Sequence, residues 1–317
     1  MRVAVVMFTI CALAAVGFFG AYAGANYLYA SAAAPSETAA VVVTQQTPDP
    51  FESVSLIAKA AYVIDLSTGN VLYQQNADAQ LPLASITKVP LTLVVTQALN
   101  PDTIITVPAH QTPDGAPVRI AQGEEWHLQD LIDYTLAASS NEGAEILATE
   151  ANSSVAAEYP AAPQGGTDTA TLWRMNDFVK NMGLSNTYFL DVTGLDLSTT
   201  QSGAYGSASD VAKIFAYAET NSLSVFQATT QDPVTRTTIE GQSLTAQNTD
   251  EALPSFPGLL MGKTGYTDLA GGNLVIVFTA APGHTVVAIV LGSTEDGRFT
   301  DMKQLVPAAQ EATAEGK

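Results

Sequence analysis

The stretch GLLMGKTGYTDLAGGNLVIVFTAAPGHTVVAIVLGS, Gly258 to Ser293, holds three β-rich runs separated by turn residues. Ala281-Pro282-Gly283-His284 joins the last two runs, and TEDGRFTDMKQLVPAAQEA beyond them reads as a closing helix. Near the front of the chain, AAYVIDL (Ala60–Leu66) and VLYQQ (Val71–Gln75) flank STGN, the pattern of a hairpin. Helical patterns fill the space between these ends. ASITKVPLTLVVTQAL (Ala84–Leu99) has the length and apolar content of a buried helix, with Pro90 tolerable only near its first turn. LQDLIDYTLAAS (Leu128–Ser139), NEGAEILATEA from Asn141, TLWRMNDFVKNMG ending at Gly183, and SASDVAKIFAYAE capped by Ser207 or Ser209 complete the set. Strands at both ends with helices between predict an α+β fold: one antiparallel sheet flanked by helices, with a helical subdomain inserted.

The 317 residues carry 12 Lys+Arg against 31 Asp+Glu, a net charge of −19. Nucleic-acid binding is therefore excluded, because no Lys/Arg-rich face exists to release counterions from a phosphate backbone. Cys11 is the only cysteine, so a disulfide framework, a Cys-based zinc site and a thiolate nucleophile in a folded site are all ruled out. His110, His127 and His284 are scattered, so neither a metal nor a cofactor is expected.

After Arg2 no charge occurs until Glu37, and Val3–Tyr29 is long enough to cross about 30 Å of hydrocarbon as a helix. Two readings fit residues 1–30: a signal peptide cleaved at Ala21-Tyr22-Ala23 or Ala30-Ser31-Ala32, or a retained membrane anchor. The length of the run and its tyrosines favour the anchor. Either one sends the remainder out of the cytoplasm. Residues 31–55, rich in Ala, Ser, Thr, Gln and Pro, read as a flexible linker, and the folded domain is expected over 56–317.

Chemistry enters with LPLASITKVP (Leu81–Pro90), where Ser85 and Lys88 stand one helical turn apart in an apolar run. A serine hydroxyl becomes a nucleophile only when a base removes its proton. A lysine amine serves as that base only when neutral, a state promoted by desolvation or a second cation. Two further short motifs follow. Ser139-Ser140-Asn141 lies between two helical segments, and Lys263-Thr264-Gly265 opens a β run.

In this order and context S-x-x-K, S-x-N and K-T-G resemble the signature of serine-type low-molecular-mass penicillin-binding proteins, the D-alanyl-D-alanine carboxypeptidases. AAYVIDLSTGNVLYQQNAD is similar to that family's opening hairpin, LASITK to its P-A-S-x-T-K core, and GLSNTYFLDVTGLD to its stretch ending in G-L-D. MGKTGYTDLAGGNLV resembles its K-T-G strand and following turn. The resemblance implies a β-lactamase/transpeptidase-like fold, peptidoglycan stem peptides as substrate and β-lactams as covalent inhibitors. It implies Ser85 as nucleophile, Lys88 as its base, Ser139 as proton relay to the leaving amine, and Asn141 as partner of Lys88 and of the substrate amide. Lys263 would supply positive potential and Thr264 would bind the substrate carboxylate. Gly265 would leave room for an extended substrate, and the N–H groups of Ser85 and Tyr266 would hold the oxyanion.

Some positions depart from the family pattern. Leu83 stands where the family has proline, and QNTDEAL places Thr249 where an arginine often helps hold the substrate carboxylate. No E-x-x-L-N run lies between the second and third motifs, which argues against a class A β-lactamase. A D,D-endopeptidase and a degenerate wall-binding module remain as alternatives.

Overall fold

The computed structural model describes residues 48–110, 112, 115 and 117–316. The anchor or signal peptide expected over 1–30, and the linker up to residue 47, lie outside the described residues. Five antiparallel strands make the main sheet: β1 (Ala60–Asp65), β2 (Val71–Gln75), β3 (Leu259–Thr267), β4 (Gly271–Ala281) and β5 (His284–Ser293). Their spatial order is β3-β4-β5-β1-β2. Strand β1 pairs with β5, Ala60 opposite Leu291 and Asp65 opposite Val286, so the front and back of the folded chain meet in one sheet.

The strand period of two explains why β4 reads as an unbroken apolar run. Leu274, Ile276 and Phe278 point to one face, where they pack with Val286, Ala288 and Val290 against Phe299, Met302 and Leu305 of a C-terminal helix, Gly297–Ala314. Val275 and Val277 point to the other face, joining Val287, Ile289 and Leu291 in the larger core beneath the helical region. Burial of each such side chain contributes about 1.5–3 kcal/mol. Phe51 stacks on Tyr73 and belongs to the first of these clusters.

The inserted helices are α1 (Lys88–Ala98), α2 (Leu128–Ala137), α3 (Asn141–Glu158), α4 (Thr169–Asn181) and α5 (Ala208–Ser222), and the C-terminal helix is α6. Pro90 sits in the first turn of α1, where a helix needs no donor from it. Gly183, at φ +74°, stops α4, and the Ser207 hydroxyl caps α5 by accepting from the Asp210 N–H.

Two details differ from the sequence reading. The segment 84–99 opens with a short 3-10 turn, Ala84–Thr87, before α1 begins. The region between α5 and β3 also contains a hairpin, Val234–Thr237 with Ser243–Ala246. Its strands are mostly exposed and carry Thr235–Thr245 and Thr237–Ser243 hydroxyl pairs, so no apolar alternation announced it.

Candidate active site

Ser85 lies in the 3-10 turn, half-buried, directly after Ala84, which takes the left-handed conformation at φ +48°. Buried Asn273 of β4 fixes this turn to the sheet. Its Nδ2 donates to the carbonyls of Pro82 and Leu83, both at 3.0 Å, while its Oδ1 accepts from the Gly292 N–H at 2.8 Å. Strand β3 presses against the same turn. A Cβ on Gly265 would lie 2.8 Å from the Leu83 carbonyl oxygen and 3.2 Å from the Ser85 nitrogen. The missing side chain lets the strand approach the nucleophile turn.

Lys88 opens α1 and is completely buried. Its Nζ is 2.8 Å from Ser85 Oγ, 2.7 Å from Asn141 Oδ1 and 3.0 Å from the Thr193 carbonyl oxygen. Asn141 Oδ1 and the Thr193 oxygen can only accept, so a neutral amine would donate its two N–H bonds to them. Its lone pair would then face the Ser85 hydroxyl. Thr193 had not been singled out from the sequence. Its carbonyl is aimed by an Asx-type turn in which Asp191 Oδ1 accepts from the N–H groups of Thr193 (2.7 Å) and Gly194 (2.9 Å). Gly194, at φ +83°, is required there, since a Cβ would fall 2.1 Å from the Ala84 oxygen.

Ser139 ends the turn after α2 at φ +54°, a left-handed strain of the kind that clusters at active sites. Its Oγ accepts from Lys263 Nζ at 2.9 Å, and Lys263 also donates to the Thr264 carbonyl at 2.9 Å. Ser140 turns away to cap α3 through the Gly143 N–H. Burial, the charge of Lys88 and the charge of Arg298 together push the Lys263 amine well below the usual lysine range. The Thr264 hydroxyl lies 2.5 Å from that of Thr249. Strand β3 is an edge strand, and Arg298 Nη1 donates to the Gly265 carbonyl at 3.0 Å. The C=O and N–H of one trans peptide point in opposite directions, so this bond aims the Tyr266 N–H away from Arg298. The Tyr266 side chain is exposed. Ser85, Lys88 and Asn141 thus share one set of hydrogen bonds, Ser139 and Lys263 form a second, and the Thr264 hydroxyl pairs with Thr249. No cluster of three metal-ligating side chains occurs among the described residues.

The sequence profile of the D-alanyl-D-alanine carboxypeptidases, peptidase family S11, matches residues 42–295. The chain belongs to this family. It is 28% identical over 248 residues to a D-alanyl-D-alanine carboxypeptidase of Bacillus subtilis (strain 168), covering 75% of this chain and 58% of that protein's length. It is 26% identical over 245 residues to a D-alanyl-D-alanine endopeptidase of Escherichia coli (strain K12), covering 76% and 72% respectively. Among solved structures, penicillin-binding protein D2 of Listeria monocytogenes in its cefotaxime-bound form superposes with a TM-score of 0.66 at 28% identity. That match covers 81% of this chain and 98% of the other. The fold is that of the penicillin-binding proteins, an α+β architecture.

Thr249 and Thr264 form a hydroxyl pair, and the Thr249 N–H is tied to the Ala137 carbonyl at 3.1 Å. The next residue, Asp250, is buried beneath β3. Burial pushes its carboxyl up to about 6, opposed by the Ala252 N–H and by the charges of Arg298, Lys263 and Lys303. Its Oδ2 has no hydrogen-bond partner. Arg298 and Asp250 flank the K-T-G strand from behind, and no local motif marked Arg298 in the sequence.

Proposed function

We propose that this family member acts as a serine-type D-alanyl-D-alanine carboxypeptidase on peptidoglycan stem pentapeptides. The observation that carries the reading is the placement of Lys88 Nζ against Ser85 Oγ with two carbonyl oxygens taking its other bonds. Ser85 Oγ attacks the carbonyl between the two D-alanines while its proton passes to Lys88. The oxyanion is received by the N–H groups of Ser85 and Tyr266, each such donor contributing about 3 kcal/mol. The C–N bond then breaks as the proton reaches the leaving amine through Ser139, freeing D-alanine and leaving an ester on Ser85. Water attacks that ester, Lys88 takes its proton, and Ser85 is restored. Thr264 and Thr249 bind the terminal carboxylate, with Lys263 behind them. A β-lactam, which carries a carboxylate and a strained amide in the same relation, would acylate Ser85 by the same first step.

We assign the working site to the outer side of the cell membrane, on the strength of the apolar run Val3–Tyr29. No helix among the described residues is long and apolar enough to cross a membrane. A mass measurement on the mature protein distinguishes a retained anchor from a cleaved leader.

Two assays test the catalytic reading. Labelled penicillin should attach to Ser85, and a synthetic stem pentapeptide should release free D-alanine. Lys88→Ala should slow acylation by about 10²–10⁴. A folded protein that takes no label and releases no D-alanine would leave only the wall-binding alternative. Near-normal acylation of Lys88→Ala would remove that residue from the base role.

A further inference from the structure

Arg298 stands where a cation is doubly disfavoured. It lies in the first turn of α6, at the positive end of the helix dipole, and is only 7% exposed. Its guanidinium lies over the Phe299 ring, 4.7 Å from the centroid. Asp250, Glu251, Glu295 and Asp296 act on it favourably through their charge, but among the described residues none of them closes an ion pair with it. Glu251, Glu295 and Asp296 are exposed, where water screens them. Asp250 Oδ2 and Arg298 Nε are both buried without a hydrogen-bond partner. Stability alone gives no reason for a guanidinium here.

The bond that Arg298 does make points to one. Its Nη1 donates to the Gly265 carbonyl at 3.0 Å, out of contact with water. A neutral donor or a buried water would satisfy that oxygen at lower desolvation cost. The same peptide carries the Tyr266 N–H, the group assigned above to the oxyanion. Peptide resonance couples the two ends, so charge drawn to the oxygen makes the N–H a stronger donor. A charge-assisted bond does this more strongly than a neutral one. The position agrees. The Ser85 nitrogen lies 3.2 Å from the point a Gly265 Cβ would occupy, so both oxyanion donors belong to adjoining backbone.

We infer that Arg298 is a positioning residue of the oxyanion hole: through the Gly265–Tyr266 peptide, its charge aims and strengthens the Tyr266 N–H that receives the developing negative charge. The inference rests on the proposed peptidase reading, which gives that N–H its role. Arg298 touches no substrate, and no bond forms or breaks at it.

The test compares Arg298→Lys with Arg298→Met in the full chain, two side chains of similar length that differ in charge. Stopped-flow reaction with penicillin separates the affinity of the first complex from the rate constant of acylation. Removing a whole oxyanion donor costs about 10²–10³, and weakening one should cost less, so Arg298→Met should lower the acylation rate constant about tenfold at unchanged affinity. Arg298→Lys should recover most of that loss. The second readout is spectroscopic. With penicillin isotope-labelled at its β-lactam carbonyl, the infrared band of the ester on Ser85 should move to higher wavenumber in Arg298→Met. In Arg298→Lys it should stay close to its original place. Stoichiometric labelling of Ser85 certifies a folded protein; if Arg298→Met does not fold, Arg298→Gln, also neutral, takes its place in both measurements. An unchanged rate in the neutral variant, equal losses in the charged and neutral variants, a loss confined to affinity, or a motionless ester band overturns the inference. If the unmodified chain is itself never acylated, the peptidase reading fails and the role of Arg298 falls with it.

Discussion

Gly265 shows how much a single hydrogen atom decides. With no side chain it lets β3 lie against the Leu83 carbonyl and the Ser85 nitrogen, and a methyl group would sit at 2.8 Å from that carbonyl. Gly265→Ala must therefore push the strand and the nucleophile turn apart. A displacement of about 1 Å in a catalytic constellation costs about 10²-fold, so penicillin acylation should fall by at least tenfold while the fold persists. Stopped-flow labelling reads this directly. Asp250 gives a second prediction. Its carboxyl rises from 3.8 to about 6 on burial, so the folded chain holds that proton more tightly than the unfolded chain. The contribution to stability is therefore most favourable below about 4, falls as pH rises to about 6, and is constant above that, by at most about 3 kcal/mol. Asp250→Asn should flatten this slope, and urea unfolding at pH 4.5 and 7.5 compares the two chains. Ser85, Lys88, Asn141 and Lys263 were legible at this scale because each belongs to a short pattern of side chains. The Thr193 carbonyl was not, since a backbone oxygen leaves no mark in composition. Arg298 acts from a helix with no motif around it.

At the scale of elements, the site is a set of helix ends held against one strand. The first turn of α1 brings Lys88, the N-terminus of α3 brings Asn141, and the strained turn between α2 and α3 brings Ser139. Glu142, in the first turn of α3, also fastens the segment at Arg119 and Ile120. Burial lowers the His110 pKa, but the hydrogen bond and charge of Glu142 and the Pro108 carbonyl outweigh it, so the net shift is upward. A raised histidine pKa means that the clasp is complete below about 6.5 and is lost as pH climbs through the folded value. The Arg119 and Ile120 amides should exchange hydrogen faster at pH 8.5 than at pH 6 after correction for intrinsic rates. In His110→Gln that extra pH dependence should vanish; if it persists, the clasp is not what governs the segment. The helices themselves were readable from apolar spacing, and the caps from Ser207 and Gly183. The 234–246 hairpin was not, because its exposed hydroxyl ladders carry no apolar period.

For the whole molecule, the sheet decides what can be removed. Asp301 of α6 is fully buried and receives the N–H groups of Ile57 (2.8 Å) and Ala58 (2.9 Å) and the Ser293 hydroxyl (2.6 Å). It ties the entry to β1, the end of β5 and α6 into one unit. Asp301→Ala leaves these donors unmatched, at about 1–3 kcal/mol each when buried, so unfolding in urea should shift by at least about 3 kcal/mol. A shift below 1 kcal/mol would show that water replaces the carboxylate. The α+β division was legible because apolar runs covered on both faces lose their alternation and stand out as blocks. The 3-10 start of α1 was not, since it answers to Asn273 and Gly265, far along the chain.

The Asn273 clamp links residues 190 positions apart, and this sets a timetable for biosynthesis. A nascent chain emerges from the ribosome with Ser85 and Lys88 long before the hairpin that braces them exists. The hydroxyl therefore stays chemically silent through most of translation. Products that terminate early, before that hairpin, carry the nucleophile yet remain blind to penicillin.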